Sequence, residues 1–74
     1  MTSMTITVLP VEGGWSVNRE PGGEPLVFSS GGRAEAAARR VAEAARASGC
    51  EAEVLIQARD GFVVGRLHYA PEQV

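Results

Sequence analysis

Several residue types that commonly build functional sites are scarce in this 74-residue sequence. It contains one cysteine, Cys50, one histidine, His68, and no lysine. A lone cysteine excludes an intramolecular disulfide, and these two residues do not build a convincing nucleophile–base pair or metal cage. We therefore expect no enzymatic activity, no catalytic residue, no metal and no cofactor.

Long apolar runs and a strong charge bias are also missing. No stretch approaches the ~20 apolar residues that cross a bilayer, and the N-terminus lacks the pattern of a signal peptide. The formal net charge of -2 gives no general attraction to nucleic acid or anionic lipid. We expect a cytoplasmic protein that has no membrane association and no small-molecule ligand.

What the sequence does contain is alternating apolar and polar residues, the pattern of half-buried β-strands. Ile6 and Val8 alternate with threonines, and Trp15 and Val17 repeat the alternation after a glycine turn. A second hairpin is indicated around Arg59-Asp60-Gly61. The predicted strands cover residues 5–9, 15–18, 51–58 and 62–69, with a short third strand at 26–28.

Between the hairpins, residues 33–48 are almost all strong helix formers, and Gly49 is a natural stop. At 100° per residue one face is made almost entirely of small side chains. We expect this face to be buried close to a sheet, so that strand residues such as Trp15, Phe28, Val54 and Ile56 supply the bulk of the core. The predicted inner face consists of Ala34, Ala37, Ala38, Val41, Ala44, Ala45 and Ser48.

These elements predict an α+β fold in the order β-β-(β)-α-β-β. Strands joined by short turns favour antiparallel pairing, so we expect an antiparallel sheet of four to five strands with the helix packed on one face. The length allows a single domain over residues 1–74. We expect residues 1–4 and 71–74 to be frayed and the proline- and glycine-rich segment 20–25 to be a mobile loop.

The sequence resembles a small bacterial family called domain of unknown function 2188. The residues that carry the resemblance extend from Ile6 to Tyr69: Val8, Pro10, Gly13-Gly14-Trp15-Ser16-Val17, Arg33-Ala34-Glu35-Ala36, Gly49, Glu51, Leu55-Ile56 and Arg59-Asp60-Gly61. The resemblance implies a hairpin, helix, hairpin domain with no assigned activity or catalytic residues. Two departures are Gly32, where a serine or threonine cap is expected, and the insertion at 21–25.

A weaker likeness is to the HicB-type antitoxin fold, in which a hairpin with a Gly-aromatic pair also precedes a helix. That likeness would imply binding to a toxin. The Gly-Cys segment expected after the second strand of that fold is missing here.

The last predicted hairpin offers a candidate interaction surface. If Val54 and Ile56 point toward the helix, Leu55 points away, and if Val63, Leu67 and Tyr69 point inward, Phe62 and Val64 point outward. An exposed cluster of this kind is a liability for a monomer. We therefore expect Leu55, Phe62 and Val64 to be covered by a second copy of the chain, or by another small protein.

The helix offers an alternative surface for nucleic acid. Its candidate contacts are Arg33, Arg39, Arg40 and Arg46, which could meet phosphates. Glu35 and Glu43 interrupt this patch and the molecule is acidic, so a solvated helix face is the favoured interpretation. The sequence thus predicts an interaction module that self-associates through its sheet, with antitoxin-like partner binding and nucleic-acid binding as alternatives.

Overall fold

The fold was obtained as a computed structural model, which describes residues 3–72. It contains five strands and one helix: β1 (Ser3–Val11), β2 (Gly14–Glu20), β3 (Leu26–Phe28), α1 (Gly31–Ala47), β4 (Glu51–Gln57) and β5 (Val63–Tyr69). The predicted α+β class and the position of the helix between the third and fourth strands are confirmed. Residues 26–28 do pair, antiparallel to β2.

The five strands form one sheet in the order β3-β2-β1-β4-β5, and this sheet is mixed, which corrects the antiparallel prediction. Three of its pairings are antiparallel, but β1 and β4 run parallel, with Ile6 opposite Val54. The reason is the helix. It carries the chain from the end of β3 back along the strand direction, so β4 starts at the same end of the sheet as β1 and runs parallel to it.

The core lies between α1 and one face of the sheet. Its largest fully buried side chains come from three adjacent strands: Ile6, Val8, Val17 and Val54. Trp15, Phe28 and Ile56 are half-buried and pack against this cluster, as expected. Small helix residues let the helix approach closely, since a Cβ placed on Gly31 would lie 3.0 Å from the Trp15 ring.

The buried stripe of the helix differs from the predicted one. Ala34, Ala38 and Ala45 are buried as expected, but Ala42 is fully buried whereas Ala44 is exposed. Ser48 is also exposed. The buried alanines are spaced by four, four and three residues, which keeps them on one line along the helix.

Both helix ends are capped by local hydrogen bonds. The helix begins two residues earlier than predicted, because the Ser30 side chain accepts a bond from the Arg33 backbone N–H at 3.3 Å and takes the role expected at Gly32. At the other end Gly49 has φ 86°, and the backbone N–H of Cys50 donates to Ala45 at 2.9 Å. This is the Schellman arrangement that only glycine adopts without strain.

The structure describes part of each segment that we expected to be frayed, and the fraying itself stays a prediction. Ser3 and Met4, which we expected to fray, pair with Glu51 and Ala52 in the parallel ladder. The backbone N–H of Glu72 donates to the carbonyl of Arg46 at 2.9 Å. Residues 1, 2, 73 and 74 lie outside the described part of the chain, and the mobility of segment 20–25 stays a prediction.

Candidate interaction surface

The helix packs on one face of the sheet, and the residues that point to the opposite face form what we call the uncovered face. Strand registers define it, because paired residues share a face and the faces alternate along each strand. Thr7, for example, lies between Asn18 and Leu55, with Arg66 next to Leu55. Within residues 3–72, no strand or helix packs on this face.

One end of the uncovered face is rich in apolar side chains, and we call it the apolar end. It lies where β1 and β4 finish and where β5 begins. Val27 is 68% exposed there, and Val64 at the bulge of β5 and Phe62 in the adjoining turn are 66% and 72% exposed. We define the apolar end as five residues on this face, together with the chain neighbours Phe62 and Val64: Leu9, Val11, Val27, Leu55 and Val63.

The other end of the uncovered face is polar, and we call it the charged end. His68 Nε2 lies 2.8 Å from a carboxylate oxygen of Glu51, and Arg66 Nε lies 3.7 Å from a carboxylate oxygen of Glu53. An open depression of about 330 Å³ lies here, and Thr5 contributes to its wall. Because all four side chains are substantially exposed, these pairs contribute little to stability.

The three residues predicted as the interface lie close together in the fold. Leu55 is half-buried on the uncovered face, while Phe62 and Val64 are exposed at the start of β5. Val63 was expected to point inward. It pairs instead with Gln57 on the uncovered face and is 44% exposed, because a bulge makes Val64 an extra residue between the pairs Gln57–Val63 and Ile56–Gly65.

Other members of the surface were missed from the sequence. Val27 and Leu9 come from strands that are distant in sequence from the last hairpin, and only the strand order brings them to the same face of the sheet. A faint signal did exist in the alternation itself, since Leu9 is out of phase with Ile6 and Val8. An apolar residue in the polar phase of a strand indicates a second contact surface.

The four arginines predicted as nucleic-acid contacts lie on α1, on the other side of the molecule. Arg33, Arg39 and Arg40 are exposed, and Arg46 is half-buried. Arg46 Nη1 lies 3.6 Å from a carboxylate oxygen of Glu43, an exposed pair one helical turn apart. The arrangement mixes signs along the helix, as a solvated helix face does.

Over residues 3–72, no group of three histidine, cysteine, aspartate or glutamate side chains is placed to hold a metal ion. Cys50 is half-buried, and His68 Nε2 lies 2.8 Å from a carboxylate oxygen of Glu51. The helix is too short and too polar to span a membrane in the part of the chain that the structure describes.

Comparison with known proteins identifies one family. The family model described as "Uncharacterized protein conserved in bacteria (DUF2188)" matches residues 6–69. This match confirms the resemblance drawn from the sequence. No curated protein and no solved structure matches the chain significantly. The likeness to the HicB-type antitoxin fold stays a prediction.

Proposed function

We propose that this chain, which belongs to the bacterial DUF2188 family, is a small protein-interaction module that associates with a second copy of itself through its sheet. The proposal assigns no catalytic role to the chain. It takes the cytoplasm as the compartment, in keeping with a lone half-buried cysteine that has no partner for an internal disulfide.

The observation that carries the proposal is the apolar end of the uncovered face. Val27 and Val63 are 68% and 44% exposed on the uncovered face, and the two neighbours of Val63, Phe62 and Val64, are 72% and 66% exposed. Contiguous exposed apolar residues on a small domain are typical of a protein contact surface. The exposed side of the helix has no such residues, since it presents arginine, glutamate and alanine.

The size of the domain supports the same conclusion. A chain of this length buries only about 60% of its unfolded surface and has little stability to spare. Oligomerisation is one of the few ways in which such a domain gains further burial when it has no disulfide or metal. Covering the apolar end would supply that burial.

The decisive measurement is the mass of the purified protein by light scattering over a dilution series. We expect a dimer at high concentration that dissociates on dilution. Val64→Glu places a charge in the apolar end and should shift the mass to that of the monomer. Ala36→Glu adds the same charge at an exposed position of the helix and should leave the dimer intact. Circular dichroism checks that both variants fold.

A monomeric wild-type mass at high concentration would refute self-association. Two alternatives then have their own measurements. Co-purification of a distinct small protein from the native host would support antitoxin-like binding. Salt-dependent binding of nucleic acid that is lost in Arg39→Gln and Arg40→Gln would support the helix face, because phosphate contacts weaken as salt rises.

A further inference from the structure

One row of the uncovered face, at its apolar end, is symmetric in polarity about the central strand. β1 is the third of five strands, and the row that crosses the sheet at Leu9 can be followed through the registers. Leu9 pairs with Ser16, and Ser16 pairs with Val27 on one edge. On the other side Gln57, one step beyond the pair Val8–Ile56, lies next to Leu9 and pairs with Val63 on the opposite edge.

This row therefore runs valine, polar, leucine, polar, valine. A twofold axis parallel to β1 and lying above the uncovered face would set Leu9 against Leu9 of the second copy. It would also set Val27 against Val63 and Ser16 against Gln57. In this row apolar residues would meet apolar residues and polar residues would meet polar ones, as a twofold interface requires. The match is confined to the row at Leu9, because in the next row the same axis sets Asn18 against Leu55.

From this pattern we infer that the second copy packs face to face, as an aligned β-sandwich dimer whose twofold axis runs along β1. The inference rests on the proposed self-association and specifies its geometry. Two sheets packed in this way keep their strands within about 30° of each other and lie about 10 Å apart.

Edge-to-edge pairing is the competing geometry, and features of both edges oppose it. β3 has only three residues, so it offers a very short ladder. β5 is longer, but the bulge at Val64 interrupts its regular edge, and Arg66 lies at its middle. Short strands, bulges and charges are the features that prevent pairing at sheet edges.

The charged end makes the face-to-face contact uneven. The same axis sets Glu20 against Glu53 of the second copy, and this like-charge pair occurs twice in the dimer. The two sheets should therefore be closest at the apolar end and diverge at the charged end. Added salt should strengthen the dimer, because it screens this repulsion.

The contact is also small. Five strands about 4.8 Å apart, each of about seven residues at about 3.3 Å, give a face of roughly 500 Å². Stable interfaces bury about 800 Å² on each partner. The dimer should consequently exchange on dilution, and crosslinking is the appropriate measurement.

The test uses single cysteines at the two edges in a Cys50→Ser background. Val27→Cys and Val63→Cys are both at exposed positions. A bismaleimide that spans about 10 Å, the separation of packed sheets, is added to each variant alone and to an equimolar mixture in which one variant carries a tag. Ala36→Cys, at an exposed helix position, is the matched control for random collision.

We expect the mixed product of Val27→Cys with Val63→Cys to dominate. Each variant alone should crosslink no more than the Ala36→Cys control, because like positions would be about four strand spacings, or roughly 19 Å, apart. Dimer by light scattering together with self-crosslinking of Val63→Cys would overturn the face-to-face geometry while leaving self-association intact. A monomer by light scattering would overturn both.

Discussion

The two faces of the sheet differ in how they are covered. On β1, Ile6 and Val8 are fully buried beneath the helix, while Thr5 and Thr7, which alternate with them, are only half-buried on the uncovered face. The helix contributes mainly methyl groups, so it covers its face closely and leaves the strands to fill the space. The uncovered face has no such cover and separates instead into an apolar end and a charged end. Folding stability should thus depend on one face and association on the other.

The largest difference in folding stability between the two faces is expected from substitutions at neighbouring residues of β1. Ile6→Ala should lower the free energy of unfolding by about 2–4 kcal/mol, because it removes a fully buried side chain and leaves a cavity. Thr7→Val, next along the strand, should change it by less than about 0.5 kcal/mol, since the side chain keeps its shape and is not in the core. Denaturant unfolding at a concentration low enough to avoid dimers measures both.

Equal effects of the two substitutions would break the comparison. They would mean that the uncovered face is as well packed in solution as the helix-covered one. Association gives an independent reading, since Thr7→Val makes the uncovered face more apolar and should strengthen the dimer. Ile6→Ala should not change association of the protein that remains folded.

A somewhat smaller loss of folding stability is expected when the helix residues that pack against the sheet are enlarged. Ala38 is fully buried, and Ala38→Leu adds three carbons where the helix and sheet are already close, at a cost of about 1–3 kcal/mol. Ala36→Leu makes the same change at an exposed position of the same helix and should be within about 0.5 kcal/mol of the wild type. Thermal unfolding of both variants separates overpacking from helix propensity, and a stable Ala38→Leu protein would contradict the close approach.

Local patterns were sufficient to predict most of the elements. The alternation of Ile6 and Val8, the turn at Gly13 and the alanine-rich segment before Gly49 each depend on neighbours within a few residues. Features that depend only on neighbours a few residues apart can be predicted from the residue types and their spacing. The pairing of residues 26–28 was less certain from the sequence, because three residues carry little alternation and their order is fixed by the partner strand β2.

The properties that local patterns could not give are those set by strand order. Nothing within β1 or β4 indicates that they run parallel, since that depends on where the helix returns the chain. The bulge that turns Val63 to the uncovered face depends on how β5 meets β4. The candidate surface was therefore predicted only where it is local, at Leu55, Phe62 and Val64, and missed where Leu9 and Val27 join it from other strands.

The smallest effect concerns the charged end, where stability and association should respond in opposite ways. Glu53→Gln removes the partner of Arg66, and because both side chains are exposed the free energy of unfolding should change by less than about 0.5 kcal/mol. The face-to-face dimer, however, should tighten at low salt, since the substitution relieves the contact between Glu53 and Glu20 of the second copy. Sedimentation at low and high salt measures this, with Glu43→Gln on the helix as the charge-matched control. A dimer that weakens in Glu53→Gln would show that this carboxylate attracts the second copy, because only a contact with a positive group could reverse the sign.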